Sequence, residues 1–342
     1  MKKLSLVLSV LLLVGMLASV SEAKAKVTLE FGHIQNPGHA LAIAPEEFKA
    51  MVEKRSNGQV KVNIYPSSQL GSAREMMEQV TMGTLDMTCC DTADWAAALN
   101  IPQLAVFNMP FLTKDLATQA KLIDGIVAQE VPKMLKDSNV RLLMTYSNGI
   151  RQPLLKTKPI TRLEDIKGVK MRTAETPLYV DIWNCLGAST VTSAWSEAYT
   201  LLQQGVADAV EADVTGLVNQ NLQEQAKYLS KIGHLGAIYC VFINKDKWDS
   251  IPKDLQDIIQ KSALESQKKQ LQNRQASDNA AEKAMAAAGV KINDISQKER
   301  DRMKNACQPI YDKYEKNYKL GGLIKKMLSL NSWPPLMLQQ KN

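Results

Sequence analysis

Histidine is nearly missing from this chain: His33, His39 and His234 are the only three in 342 residues. So few imidazoles exclude a multi-histidine metal centre and leave little material for histidine-based proton transfer. His33 and His39 lie six apart in a turn-containing segment with no cysteine pair nearby. Phosphate-cradling glycine loops are absent in both common forms, GxGxxG and GxxxxGK[ST], and so is the GxSxG nucleophile elbow. No enzyme, metal or cofactor is therefore expected. Seventeen glycines and thirteen prolines are too few for a collagen-like chain, and five cysteines too few for a disulfide scaffold. The cysteine count is odd, and Cys89 and Cys90 are neighbours, a strained arrangement for mutual bonding. Buried small hydrophobes is the first reading of these thiols, with a Cys185–Cys240 bridge left open. Beyond residue 20 there is no apolar run of about 18 residues, so the mature chain is not expected to be membrane-embedded.

Lysine and arginine exceed aspartate and glutamate by 42 to 35, giving +7 and an isoelectric point of about 9.0. These charges are spread along the chain with no dense basic run. That favours a protein with a preference for small anions and no nucleic-acid partner. The N-terminus reads as an address. Lys2 and Lys3 precede an apolar stretch from Leu4 to Val20, followed by Ser21-Glu22-Ala23. This is the pattern of a signal peptide, residues 1–23, cleaved after Ala23, and it predicts a periplasmic location. No cysteine stands at the junction, so a lipid anchor is not indicated.

The length suggests about two domains. Val27–Gly32, Val60–Tyr65 and Leu85–Cys89 read as strands separated by helices over Ala44–Lys54 and Ala73–Met82. That is the rhythm of an open parallel α/β sheet. The rhythm resumes with strands at Val140–Tyr146, Val169–Arg172 and Ala209–Asp213, and helices at Leu178–Leu186 and Ser196–Gln204. Ala237–Asn244 is almost continuously apolar, as suits a central strand. From Lys253 to Ala288 there is no glycine and no proline, which predicts one helix of about 35 residues, some 50 Å long. Such a helix outruns one small domain and is expected to span two; a coiled-coil seam is the rival, weakened because apolar positions thin out after Leu271. A second helical stretch is expected from Gln297 to Lys319.

Two arginines end strands: Asn148-Gly149-Ile150-Arg151 and Gly168-Val169-Lys170-Met171-Arg172. Strand ends of α/β sheets face the ligand crevice, and a guanidinium fork matches a carboxylate. A structural salt bridge is the competing reading for either one alone. The surrounding motifs narrow the choice. Tyr65-Pro66 with Gln69-Leu70-Gly71 and Glu75, Gly83-Thr84-Leu85-Asp86-Met87, Met109-Pro110-Phe111-Leu112, Gly149-Ile150-Arg151, Pro159-Ile160 and Asp165 to Arg172 follow in order. The run Ser196-Glu197-Ala198-Tyr199-Thr200-Leu201-Leu202-Gln203-Gln204-Gly205-Val206-Ala207-Asp208 and Gly233-His234 complete the series. Together they resemble the substrate-binding receptors of tripartite ATP-independent periplasmic (TRAP) transporters, of the dicarboxylate-receptor type, over nearly the whole mature chain.

The resemblance implies an α/β, two-lobed periplasmic binding protein fold that closes on an organic acid and delivers it to the membrane subunits of the transporter. One lobe would comprise residues 24–149 and 238–272, the other 150–237 and 273–342. Arg172 occupies the carboxylate-pairing position and Arg151 that of an assisting arginine. Trp195 stands where an aromatic is usual, with ligand stacking and core packing both open. Glu211 is placed with the substrate-binding residues. Asp91, following the third strand in a Cys89-Cys90-Asp91 turn, is positioned to read an amino or hydroxyl group, with solvent exposure as its alternative. Glu197, Tyr199, Gln203 and Asp208 also match motif positions, and several could support fold or hinge instead. Two departures stand out: Ala212 replaces an amide that often follows Glu211, and Gly236 replaces a tyrosine. Both are expected to remove polar atoms and bulk from the pocket, favouring an acid less hydroxylated than a sugar acid, with an apolar or aromatic body. Two rivals remain: the receptor of an ATP-driven importer and, lacking a visible nucleophile–base pair, a secreted hydrolase.

Overall fold

The computed structural model describes residues 26–331. The proposed signal peptide lies outside them. Ten strands form one sheet: β1 (Val27–Gly32), β2 (Val60–Tyr65), β3 (Met87–Asp91), β4 (Val140–Leu155), β5 (Lys170–Thr173), β6 (Ser189–Thr192), β7 (Ala209–Ala212), β8 (Tyr228–Lys231), β9 (Leu235–Asn244) and β10 (Lys291–Asp294). The spatial order is β2-β1-β3-β9-β4-β7-β5-β6, with β8 joining β4 to β10.

The expected parallel sheet holds only toward the two ends. β1 runs parallel to β2 and β3, and β5 parallel to β6 and β7. The central strands β9 and β4 are antiparallel to each other and to β3 and β7, which makes the sheet mixed. The reason is connectivity. β4 carries the chain from one half of the sheet to the other, and β9 brings it back alongside. All ten residues of β9 are buried, as its apolar sequence requires.

β4 is also much longer than its sequence suggests. Asn148-Gly149 looks like a turn, yet the strand continues through it for 16 residues. The register against β9 shifts between Ser147 and Ile150, and Gly149 sits there at φ 71°. A left-handed glycine thus makes a bulge rather than a stop. Arg151 consequently lies within the strand, just past the bulge, instead of at its end.

The helix Lys253–Ala287 has 35 residues, matching its expected bounds to within one position. Leu255, Ile259 and Ala263 pack in a core with Leu29, Phe31, Val60 and Phe48 of the helix Ala40–Arg55. Ala281 and Met285 pack in a different core with Leu154, Leu202, Leu217 and Leu229. One helix therefore belongs to both halves. Its middle buries amides: Gln260 Nε2 donates to Leu143 O, Gln267 Oε1 accepts from Thr145 N, and Gln270 exchanges two hydrogen bonds with Ser147 backbone. These amides satisfy backbone groups beside the bulge, which burial would otherwise leave unpaired at high cost.

The expected Gln297–Lys319 helix is two, Gln297–Ala306 and Gln308–Tyr318, with Pro309 in the first turn of the second. The five cysteines are all free. Cys240 faces Cys90 across the β3–β9 ladder and Thr145 on the other side, so the bridge to Cys185 does not form. No helix among the described residues is long and apolar enough to cross a membrane.

An added Cβ at Gly149 would sit 2.5 Å from the Arg274 guanidinium, whereas at Gly58, with φ 76°, it would meet nothing within 4 Å. Both positions pay the backbone cost of a left-handed alanine, about 1–2 kcal/mol. Gly149→Ala is expected to lower the urea midpoint clearly more than Gly58→Ala; equal losses would deny the close packing at the bulge.

Candidate functional site

A cleft of about 370 Å³ opens where the two halves of the sheet meet. Asn148 and Arg151 of β4, Arg172 of β5, Ala212 at the end of β7 and Tyr239 of β9 line it. Trp195, in a turn after β6, and Asp94 and Met77, from helices on either side of β3, complete the wall. Local sequence explains these placements. β5 alternates, so the buried Arg172 and Met171 point to opposite faces. The loop from Ser193 to Trp195 follows β6 and folds over the Arg172 side chain.

The two arginines differ sharply in their surroundings. Arg151 forms a fork with the Glu211 carboxylate, Nε to Oε2 at 2.6 Å and Nη2 to Oε1 at 2.8 Å, and also donates to Glu211 O at 2.8 Å. Thr173 Oγ1 donates to Glu211 Oε1 at 2.9 Å, and His234 Nε2 lies 3.2 Å from Oε2. Burial alone would raise the Glu211 carboxyl, but the Arg151 charge and the bonds from His234 and Arg151 overcome it and hold it down at about 2.

Arg172 is 1% exposed and has no carboxylate within ion-pair distance among the described residues. Nε donates to Ser193 Oγ at 3.1 Å and Nη2 to Ser193 O, both neutral acceptors. Its guanidinium carbon stands 5.3 Å from the centre of the Trp195 ring. Burial above all, with the neighbouring Arg151, pushes its pKa down to about 10, a fall that the more distant Glu211 and Asp94 offset only in part.

Of the residues singled out from sequence, Arg151, Arg172 and Trp195 meet at the cleft. Glu211 stands behind Arg151, fully buried and engaged by protein groups. Asp91 is in β3, not a turn, and is 1% exposed, so solvent exposure is ruled out. It caps the helix Thr92–Ala98 through Ala93 N and accepts from Tyr179 Oη at 2.6 Å and from Asn108 Nδ2. Ala212 does line the cleft, as expected. Gly236 does not: a Cβ there would collide with Thr113 Oγ1, so it accommodates close packing instead of enlarging the pocket. Tyr199 bonds Glu224, Asp208 accepts from Lys170 N, and Glu197 caps Ala194 N, all local supports of the fold. Sequence reasoning missed Asp94, Asn148, Ser193 and Tyr239. Ser193 was within reach of it, two residues before a tryptophan already chosen.

A paired and an unpaired arginine beneath one cleft fit a receptor for acids, and comparison with known proteins agrees. The family model of bacterial extracellular solute-binding protein, family 7, matches residues 31–317. The chain belongs to this family. A TRAP periplasmic solute-binding protein from Ochrobacterium anthropi, solved with L-fuconate bound, is 32% identical, with a TM-score of 0.82 over 90% of this chain and 100% of that one. Another from Pseudomonas putida F1, solved with D-glucuronate bound, is 29% identical, with a TM-score of 0.82 over 88% and 96%. The C4-dicarboxylate-binding periplasmic protein of Rhodobacter capsulatus is 28% identical over 86% of this chain and 88% of its own. Family 7 membership bears out the resemblance read from the motifs and places the chain among TRAP-type solute receptors, ahead of an ATP-driven importer's receptor or a hydrolase.

Glu211→Gln would strand the Arg151 charge in the interior, a loss of about 3–5 kcal/mol at neutral pH. Because folding depresses the Glu211 pKa from 4.5 to about 2, its contribution is complete above pH 4.5 and disappears as pH falls toward 2. Urea melts should show the wild-type advantage over Glu211→Gln shrinking across that window; a gap independent of pH would contradict the ion pair.

Proposed function

We propose that this family 7 receptor works outside the cytoplasm, exported by removal of residues 1–23, and closes two lobes around an organic acid for transfer to the membrane subunits of a TRAP transporter. The observation that carries this reading is the wholly buried, unpaired guanidinium of Arg172 facing the cleft. In the empty protein Arg172 is a cost. A ligand carboxylate supplies the missing charge and converts that cost into affinity, most strongly once closure excludes water. Trp195 packs beside the pair. Arg151 already has its carboxylate; it and Glu211 act as positioning residues behind the site, as does Asp91 through Tyr179. No residue is assigned a catalytic role, since the reading requires binding and release alone.

The lobes follow the sequence division, residues 24–149 and 238–272 against 150–237 and 273–342. β1, β2 and β3 fall in the first, β5, β6, β7, β8 and β10 in the second, and β4, β9 and the long helix connect them. Closure is driven by the extra contacts a ligand makes with both lobes when shut. Relatives solved with L-fuconate or D-glucuronate show that the family takes sugar acids. Ala212 in the wall supports a less hydroxylated ligand here.

A thermal-shift screen of organic acids tests the reading, since a ligand bound only to the folded form raises the melting point by mass action. An acid that stabilises wild type is expected to lose more than about a hundredfold in affinity with Arg172→Ala, the equivalent of about 3–5 kcal/mol. Arg172→Lys should also bind poorly, because a point charge cannot replace the fork. The unliganded Arg172→Ala protein should melt within a few degrees of wild type. Undiminished affinity in that variant would sink the assignment.

A further inference from the structure

Of the charged side chains that line the cleft, most are paired, and two are not: the buried Arg172 and the half-buried Asp94. Behind Asp94, outside the lining, the buried Asp91 is held by neutral donors. Arg74 pairs with Glu78 at 3.1 Å near the mouth. Arg151 pairs with Glu211, and Asp213 with Arg274 at 2.9 Å and His39 at 3.2 Å. Glu175 is exposed, so water screens it. The two left over are Arg172 and Asp94. Neither belongs to an ion pair among the described residues, and they reach the cleft from opposite halves of the sheet, Arg172 from β5 and Asp94 from the helix after β3.

Asp94 is the third residue of the helix Thr92–Ala98. A carboxylate at that position commonly turns back to cap the helix backbone. Here Asp91 does the capping, and Asp94 Oδ1 accepts from the Thr176 hydroxyl instead. That neutral donor leaves the carboxylate charge unmatched. Burial and the nearby Glu175 raise the Asp94 pKa, against the pull of Thr176 and the two arginines, as expected of an acid short of a cation.

We infer that the cleft is built for a zwitterion: a ligand whose carboxylate pairs with Arg172 and whose ammonium group pairs with Asp94, which makes Asp94 a specificity-determining residue. The inference rests on the acid-binding reading above and narrows its substrate class. A ligand with a carboxylate alone would fill half of the charge pattern. It would also draw the Arg172 charge away from the half-buried Asp94 and set a second anion near it. A hydroxyl could donate to Asp94 but would carry no charge to balance it. An amino acid satisfies both ends with no change in net charge. The remaining wall mixes apolar side chains, Met77, Ala98 and Ala174 among them, with polar ones such as Asn148 and Tyr239, so it can pack a carbon skeleton beside the two charges.

Calorimetric titration of the mature chain with matched series tests this. One set is leucine, 2-hydroxyisocaproate and isocaproate; a second is phenylalanine, phenyllactate and phenylpropionate; a third is 5-aminovalerate and valerate. L-Fuconate and D-glucuronate serve as hydroxylated acids. In at least one set the amine is expected to bind about tenfold or more tighter than its counterparts. Asp94→Asn should bring that ratio to within about threefold, while affinity for the unsubstituted acid stays or rises. A hydroxy or unsubstituted acid that matches or outbinds every amine in wild type overturns the inference, and this outcome does not depend on the variant folding. So does an amine preference retained by a folded Asp94→Asn protein. In both cases acids still bind through Arg172, and the acid-receptor reading survives; binding by none of these acids removes both.

Discussion

Two guanidinium groups lie near each other under one cleft, and the protein provides a carboxylate for only one of them. Arg151 receives Glu211, itself secured by Thr173 and His234, so that a whole buried layer is electrostatically closed. Arg172 receives only the neutral oxygens of Ser193. Burying a cation without its partner is expensive, and a fold tolerates it where something else repays the cost. The satisfied pair makes the unsatisfied one possible. Glu211 is committed to Arg151 by a two-pronged pair and is not a direct partner of Arg172.

Around this arrangement the fold divides its labour. Each half has a hydrophobic core of its own, and a third core, from Met76, Trp95 and Phe242 to Met171, Trp183 and Tyr311, runs across the antiparallel middle that joins them. The elements that pass between the halves are β4, β9 and the helix Lys253–Ala287. β9 is apolar throughout, but β4 bulges at Gly149 and the helix buries glutamines near its middle.

Much of this was legible in the sequence, for identifiable reasons. The long helix announced itself by lacking glycine and proline, and β9 by its unbroken apolar run. Arg172 could be found because it lies near the end of a short strand in a recognisable motif. Strand direction could not be read, since it depends on where the chain re-enters the sheet. β4 was cut short because Asn148-Gly149 has the chemistry of a turn, and only the pairing with β9 converts it to a bulge. The Arg151–Glu211 bond joins residues 60 apart through the register of β4 and β7, which no local pattern encodes. Asp91 drew attention as the charge following a strand, yet capping consumes it, and Asp94 three residues on is the group left facing the cleft. Gly236 misled for the opposite reason: a residue missing beside a motif looked like missing pocket volume, when its neighbours Thr113 and Gln119 fill the space.

The glutamines along the long helix carry a mechanical consequence. Gln260, Gln267 and Gln270 make four hydrogen bonds to the backbone of β4 between Leu143 and Ser147. Helix and strand are thereby riveted on the near side of the bulge, and sliding one along the other would shear every rivet at once. Any relative motion of the halves that keeps these four bonds must be taken up beyond Ser147, where β4 already bends at the left-handed Gly149.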